Sequence, residues 1–346
     1  LSTSENTVWK LIGELGAKRG ITEIVINDPK RVFVERGGQF IQLNVQLSKN
    51  DLYEFAKEVA SFNKRDFDRD NPILDGTLPD GSRVNIINEP FSQGSPAITI
   101  RKYLRSIKSF DDDESIFGLN SRWIEFFKAL VGSRCNMIIS GGTGVGKTTF
   151  INLLLKEMSP ADRVVTIEDT IELSITSPNV VRLEVFSTTR DFKGLTSREL
   201  VKNTLRMRPD RIIVGEVRGG ELFDLLQAMN TGHDGSMSSV HANSPGECLG
   251  RMENLFLMAG FEVPFQVVRK QIAQGVDFII QLGRNREGGR EVNQIMEVTG
   301  MEGANILSQQ IAVREEGELV GTGISPKLME KIHREGGLPL DFFAAT

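Results

Sequence analysis

Apolar residues recur at helical spacing over Glu5 to Ala17 and again over Asp51 to Phe62. Around them, short alternating runs at Ile21 to Ile26, Arg31 to Glu35, Ser82 to Asn88 and Ala97 to Arg101 predict strands. Asn27-Asp28-Pro29 and Pro79-Asp80-Gly81 punctuate these runs as turns. The first hundred residues thus predict an α+β module. After a polar stretch the pattern changes. Asn136 to Ser140, Arg163 to Ile167, Arg211 to Val214 and Ser236 to His241 are short apolar runs without clean alternation. Strands covered by helices on both faces look like this, so a parallel α/β sheet is predicted. Helical stretches near Gly246 to Ala259 and Pro264 to Gln274 follow, then strand-like segments at Asp277 to Leu282 and Glu291 to Thr299. There is no internal repeat and no low-complexity tract.

The polar stretch, Ser106 to Gly118, carries Asp111, Asp112, Asp113 and Glu114 and predicts an interdomain linker. Adjacent carboxylates do not converge on one ion without turn geometry, which favours a solvated loop over a metal site. The expected boundaries are an N-terminal domain over 1–105, a linker over 106–118 and a second domain over 119–346. A length of 346 residues agrees with two cores. The chain begins at Leu1 rather than Met, so native sequence is expected to precede it.

Composition sharpens this modestly. Apolar residues make up 39% and charged residues 25%, the balance of a folded protein. With 41 basic and 46 acidic residues, the net charge of −5 predicts no global attraction to nucleic acid or anionic lipid. Cys135, on a predicted strand, and Cys248, in a helical segment, lack metal-site spacing and are expected to be reduced packing residues. No apolar run approaches the roughly 20 residues of a transmembrane helix, and the first 30 residues lack a secretory h-region. A cytoplasmic chain without a transmembrane segment is expected.

The strongest chemical signal is Gly141-Gly142-Thr143-Gly144-Val145-Gly146-Lys147-Thr148, followed by Thr149, which fits G-x-x-x-x-G-K-[ST] between a predicted strand and a predicted helix. Glycines let the backbone N–H groups turn inward on phosphate oxygens, where a Cβ would block the torsions. Lys147 supplies a positive charge to the β and γ phosphates, Thr148 offers a hydroxyl to Mg²⁺, and the helix dipole points at the same anion. Arg211 to Val214 is an apolar strand that leads through Gly215 to Glu216, an acid placed to reach Mg²⁺ or an attacking water, with Arg218 close by as a possible partner. Thr166-Ile167-Glu168-Asp169-Thr170-Ile171-Glu172 gathers three carboxylates at another strand end. A triphosphate would repel them unless a metal or a proton-accepting role offset the charge, which points to bound Mg²⁺ and a polarised water. His233 and His241 lie in one segment after the acidic strand. They have no third ligand at zinc-like spacing, and their position suggests a γ-phosphate sensor.

Taken in order, these segments resemble the type II and type IV secretion and pilus ATPases, and within them the tight-adherence (Tad) pilus branch. The resemblance rests on the phosphate loop, the acidic box of Thr166 to Leu173, Leu205 to Arg218, and the histidine box ending His241-Ala242-Asn243-Ser244-Pro245. Asp80 to Asn85, Ile98 to Lys102, Glu297 to Gly303 and Gly321 to Pro326 extend it over most of residues 20–343. It implies a RecA-like P-loop core preceded by a smaller α+β, PAS-like domain. It also implies ATP hydrolysis with Mg²⁺ held by Thr148, Glu168, Asp169 and Glu216, catalytic roles for Glu168, Glu172, Glu216 and His241, and nucleotide contacts from Arg218 and His233. Arg83 and Arg101 would be charge-stabilising arginines. A homohexameric ring at the cytoplasmic membrane, docked on membrane platform proteins, completes the expectation. No four-cysteine zinc module is present, unlike many type II relatives.

Other readings are open at this stage. Asn63-Lys64-Arg65-Asp66 imitates a guanine-recognition motif but lies upstream of the phosphate loop. A small-molecule kinase would need an acceptor pocket and a lid. The ATPase of a type IV secretion or DNA-transfer system shares the architecture, although the acidic balance argues against direct nucleic-acid binding. A nucleotide-gated ring with little turnover is the non-enzymatic alternative.

Overall fold

The computed structural model describes residues 6–18, 20–102, 109–110, 116–186, 193–260 and 262–344. The chain forms two compact units: of the described residues, 6–102 and Lys193 belong to the first, and those of 109–186 and 194–344 to the second.

In the first unit, α1 (Thr7–Gly16), β1 (Ile21–Asp28), β2 (Arg31–Arg36), β3 (Gln39–Leu43), α2 (Lys49–Phe62), β4 (Ile73–Thr77), β5 (Arg83–Ile87) and β6 (Ala97–Arg101) follow in order. Val8, Leu11, Ile12 and Leu15 form the buried stripe of α1, and Leu52, Phe55, Ala56 and Val59 that of α2. Ser48 and Asp51 close a capping box at the start of α2. The sheet is antiparallel throughout, in the order β3-β2-β1-β6-β5-β4. Alternate residues Ile24, Ile26, Val32, Val34, Val84, Ile86, Ile98 and Ile100 are buried with the helices in one core. The opposite face carries Arg83 directly across from Arg101, which on its other side pairs with Glu23. Burial, with Glu35 nearby, raises the Glu23 pKa, while Arg101 opposes that shift.

Among the described residues, the second unit is built on nine strands: β7 (Met137–Ser140), β8 (Val164–Glu168), β9 (Val180–Glu184), β10 (Arg211–Val214), β11 (Met237–Val240), β12 (Phe278–Arg284), β13 (Arg290–Glu302), β14 (Asn305–Glu315) and β15 (Glu318–Gly321). Their order is β15-β14-β13-β12-β7-β11-β10-β8-β9. From β12 to β9 every pairing is parallel, and β13 to β15 add an antiparallel meander. Among the described residues, helices α3 (Ser121–Gly132), α4 (Lys147–Lys156), α5 (Ser197–Thr204), α6 (Glu221–Met229), α7 (Pro245–Leu257) and α8 (Phe265–Gly275) cover this sheet, with α9 (Met329–Gly336) near the end of the chain. Helices α3, α4 and α9 contribute to one core, rich in phenylalanine, and α5 to α8 to the core on the other face. The predicted mixed α/β architecture with a parallel-rich sheet is the one observed.

Two details differ from the pattern-based expectation. Cys135 precedes β7 rather than lying on it, while Cys248 is within α7; both are free and buried. Asp111 to Glu114 lie outside the described residues, but Phe110, Ile116 and Phe117 from the same polar stretch are buried in the phenylalanine-rich core.

At the end of the sheet where β7 and β12 begin, Asp277 Oδ2 accepts the Asn136 N–H at 2.8 Å. Burial pushes the Asp277 carboxyl up to about 6, aided by Asp234 and Glu297 and opposed by the Asn136 N–H and Lys331. Because the native pKa lies above the unfolded value of 3.8, the group's stabilising contribution is full below pH 3.8 and is lost as pH rises through 6. Asp277→Asn keeps an acceptor for Asn136 and cannot ionise. Denaturant titrations should find the variant close to wild type near pH 4 and more stable by about 1–3 kcal/mol above pH 7. A constant difference across that range would contradict this account.

Candidate nucleotide site

The loop after β7 turns into α4 at Gly146. Gly144 and Gly146 have φ of +75° and +93°, and a Cβ on Gly141 would lie 2.7 Å from Val145 Cγ2 and 2.9 Å from the Leu282 carbonyl oxygen. These positions leave glycine as the residue that fits. Helices α2, α3, α5 and α7 each begin with a side chain accepting a first-turn N–H. Helix α4 has no such side-chain cap, so its N-terminus presents donors and the positive end of its dipole to an anion.

Lys147 is buried, and its Nζ donates to the carbonyls of Gly141 and Gly142 at 2.9 and 2.8 Å. The same Nζ lies 3.3 Å from His241 Nδ1, while His241 Nε2 lies 2.7 Å from Glu216 Oε1. Burial, reinforced by Lys147, lowers the His241 pKa, and Glu216 opposes this. A neutral ring can accept from Lys147 at Nδ1, and Nε2 makes a close polar contact with Glu216 Oε1, a buried oxygen that accepts no hydrogen bond. Glu216 Oε2 accepts from Arg218 Nε at 2.8 Å, and Arg218 Nη1 reaches Asp169 Oδ2 at 2.9 Å. Burial acts to lower the Arg218 pKa, but its pairing with Glu216 and Asp169 outweighs that and raises it. One chain of contacts thus joins Lys147, His241, Glu216, Arg218 and Asp169.

The register explains the meeting. Strands β7, β11, β10 and β8 are parallel neighbours, so the residues that follow each of them emerge along one edge of the sheet. Glu168, the last residue of β8, is buried, and its Oε2 accepts the N–H groups of Glu172 and Leu173, both at 2.8 Å. Burial raises its pKa despite those two bonds. It therefore anchors the acidic turn, and the Glu172 carbonyl is held in turn by Asn152 Nδ2 at 3.2 Å.

His233 is not brought into this network. It precedes β11, whereas His241 follows it, and the Ser236 hydroxyl bonds the His233 carbonyl while the Ser236 N–H bonds Asn136, which precedes β7. His233 thus sits at the opposite edge of the sheet, with Nδ1 3.2 Å from the Ala228 carbonyl oxygen. Proximity in sequence misled here because four extended residues separate the edges by about 13 Å. Arg83 and Arg101 belong to the first unit, side by side on its polar sheet face.

Two residues near the loop belong to none of these motifs. Arg284 Nη2 donates to the Gly144 carbonyl at 2.9 Å, and Arg290 Nη1 to Thr149 Oγ1 at 3.3 Å. The two pair across the β12–β13 ladder. The only sequence signal was an arginine-rich turn, Arg284-Asn285-Arg286-Glu287-Gly288-Gly289-Arg290. Its place beside the phosphate loop follows from β12 pairing with β7, which no motif encodes.

Among the described residues, no three His, Cys, Asp or Glu side chains converge as a metal cage. Among the described residues, no helix is long and apolar enough to cross a membrane.

The family model described as "Type II/IV secretion system protein" matches residues 6–313. A conjugal transfer protein TrbB of Rhizobium radiobacter is 33% identical over 300 residues, covering 86% of this chain and 89% of that protein. A type IV secretion system protein VirB11 of Bartonella henselae is 32% identical over 317 residues, covering 79% of this chain and 87% of that protein. The crystal structure of the pilus retraction motor PilT with bound ADP shares the fold, with a TM-score of 0.60 at 22% identity over 83% of this chain and 80% of that one. These relatives support the broad resemblance without singling out the tight-adherence branch, and they lean toward conjugal transfer and type IV secretion. On this match the chain belongs to the type II/IV secretion system protein family.

Proposed function

We propose that this chain is the ATP-hydrolysing motor subunit of a type IV secretion or conjugal-transfer machine, acting as a homohexameric ring on membrane platform proteins at the cytoplasmic face of the membrane. The observation that carries the enzymatic part is the Lys147–His241–Glu216 contact chain, which ties a phosphate loop to an acid on a neighbouring strand. The machine is inferred from the conjugal-transfer and type IV secretion relatives. A tight-adherence pilus motor is the second reading, favoured by the likeness of Glu297 to Gly303 and Gly321 to Pro326.

The backbone of Gly141 to Gly146, Lys147, Thr148 and Thr149 would hold the triphosphate. Thr148 and Glu216, with Asp169 and Glu168 through water, would hold Mg²⁺, which supplies charge neutralisation when bound. Glu216 Oε1 would take a proton from water, and His241, whose Nε2 lies beside it, would report on that charge. Arg218 holds Glu216 and Asp169 in place. Glu172 sits on the turn that Glu168 anchors, available as a further base. The roles of Arg83 and Arg101 in charge stabilisation rest on the resemblance, and no direct nucleic-acid contact is proposed.

Glu216→Gln keeps the size of the side chain and removes its basicity. Phosphate release should fall by about 10²–10³-fold while nucleotide binding persists. A variant that turns over at the wild-type rate removes Glu216 from the chemistry, and a wild type with no turnover in its assembled state favours a nucleotide-gated ring.

A further inference from the structure

The sheet order gives the phosphate loop two unlike flanks. On one side of β7 lie β11, β10 and β8, after which come His241, which touches the Lys147 ammonium, Glu216, which touches His241, and Asp169, linked to Glu216 through Arg218. On the other side lies β12, whose hairpin to β13 brings Arg284 and Arg290 to Gly144 and Thr149. A P-loop lysine reaches the β and γ phosphates, so the terminal phosphate belongs on the acidic flank. The α phosphate must then lie toward the first turn of α4, where Thr149 is and where Arg290 donates to its hydroxyl.

Both arginines are held close. The Arg290 Cδ lies 2.8 Å from where a Cβ on Gly146 would be, and Arg284 Nη2 lies 3.2 Å from the same point on Gly144. Arg284 Nη1 also donates to the Gly288 carbonyl at 3.1 Å, and Asn285 Oδ1 accepts the N–H groups of Glu287 and Gly289, which fixes the hairpin turn. The hairpin is therefore shaped to hold two guanidinium groups on the loop.

We propose that Arg290 is a nucleotide-contacting residue that binds the α phosphate, and that Arg284 is a positioning residue that keeps the Gly144 peptide turned so that the loop's N–H groups face the anion. This inference rests on the nucleotide-binding reading above. A planar fork suits a phosphate whose two non-bridging oxygens can both accept. Because ATP and ADP share that phosphate, Arg290 strengthens both alike and retains the diphosphate after the terminal phosphate has left.

The test uses the whole chain and equilibrium titration with ADP and with the Rp and Sp diastereomers of ATPαS, in which sulfur replaces one or the other α oxygen. Wild type should prefer one diastereomer. Arg290→Ala should bind ADP about 10-fold more weakly and lose most of that preference, and Arg290→Lys should recover affinity but not the preference. Arg284→Ala should weaken ADP by a few-fold and keep the preference. Thermal melts confirm that each variant is folded. Lys147→Ala separates the layers: if it loses nucleotide while Arg290→Ala keeps both affinity and preference, the Arg290 assignment is overturned and the site stands. If Lys147→Ala binds as wild type does, the underlying site is wrong. A wild type that does not distinguish the diastereomers also overturns the assignment.

Discussion

Lys147→Ala is expected to weaken ATP and ADP binding by about 10²–10³-fold, the loss that follows when one partner of a desolvated, charge-assisted pair is removed. The side chain is buried and its Nζ already sits on the carbonyls of Gly141 and Gly142, so the ammonium lies at the centre of the loop before any anion arrives. An incoming phosphate offers it a full negative charge in place of two carbonyl dipoles. Its neighbour His241 links that exchange to Glu216. Removing the ammonium also removes one of the forces that hold the His241 ring neutral, so the His241 pKa should rise in the variant. Titration with a fluorescent nucleotide reads the first effect and the pH dependence of the His241 NMR signal the second. Unchanged affinity would falsify the assignment of the loop.

How much of this was legible in the sequence depended on whether local chemistry or tertiary pairing set the feature. The phosphate loop was fully legible, because its backbone torsions demand glycine at fixed spacing. The buried strands of the second unit were legible to within a few residues, because every residue of β7, β8, β10 and β11 is buried and apolar residues crowd there. The edge strands β3 and β4 were not, since Phe40, Ile41 and Ile73 remain exposed and little alternation was imposed on them. His233 and His241 were read together because they share one segment, although a residue that precedes a parallel strand and one that follows it reach opposite edges of the sheet. Arg284 and Arg290 were invisible for the converse reason: they come from strands distant in sequence, and only the β7–β12 pairing makes them neighbours of Gly144 and Thr149.

Asp162→Ala is expected to cost about 3–5 kcal/mol of stability, enough to lower the melting temperature of the second unit by roughly 6–20 °C. Arg211 opens β10 and is only 2% exposed, with its Nε 2.7 Å from Asp162 Oδ2 and its Nη2 donating to the Val131 carbonyl at 3.0 Å. Arg134 bonds the other oxygen of the same carboxylate. Burial pulls the Arg211 pKa down, and the bond to Asp162 is the chief force against it. Gly235, at φ +80°, makes room for this guanidinium, since a Cβ there would lie 2.4 Å from Nη1. Alanine at 162 leaves the arginine's charge buried without its counter-ion, a large penalty in a medium that cannot screen it. Replacing both partners, as in Asp162→Ala with Arg211→Met, should recover much of the loss, because the penalty belongs to the stranded charge and not to the missing contact. Since the cluster sits where β10 begins, away from the edge that carries Glu216, nucleotide affinity at low temperature should stay near wild type in the folded fraction. Equal melting temperatures for wild type and Asp162→Ala would show that water reaches Arg211 and that the pair contributes little.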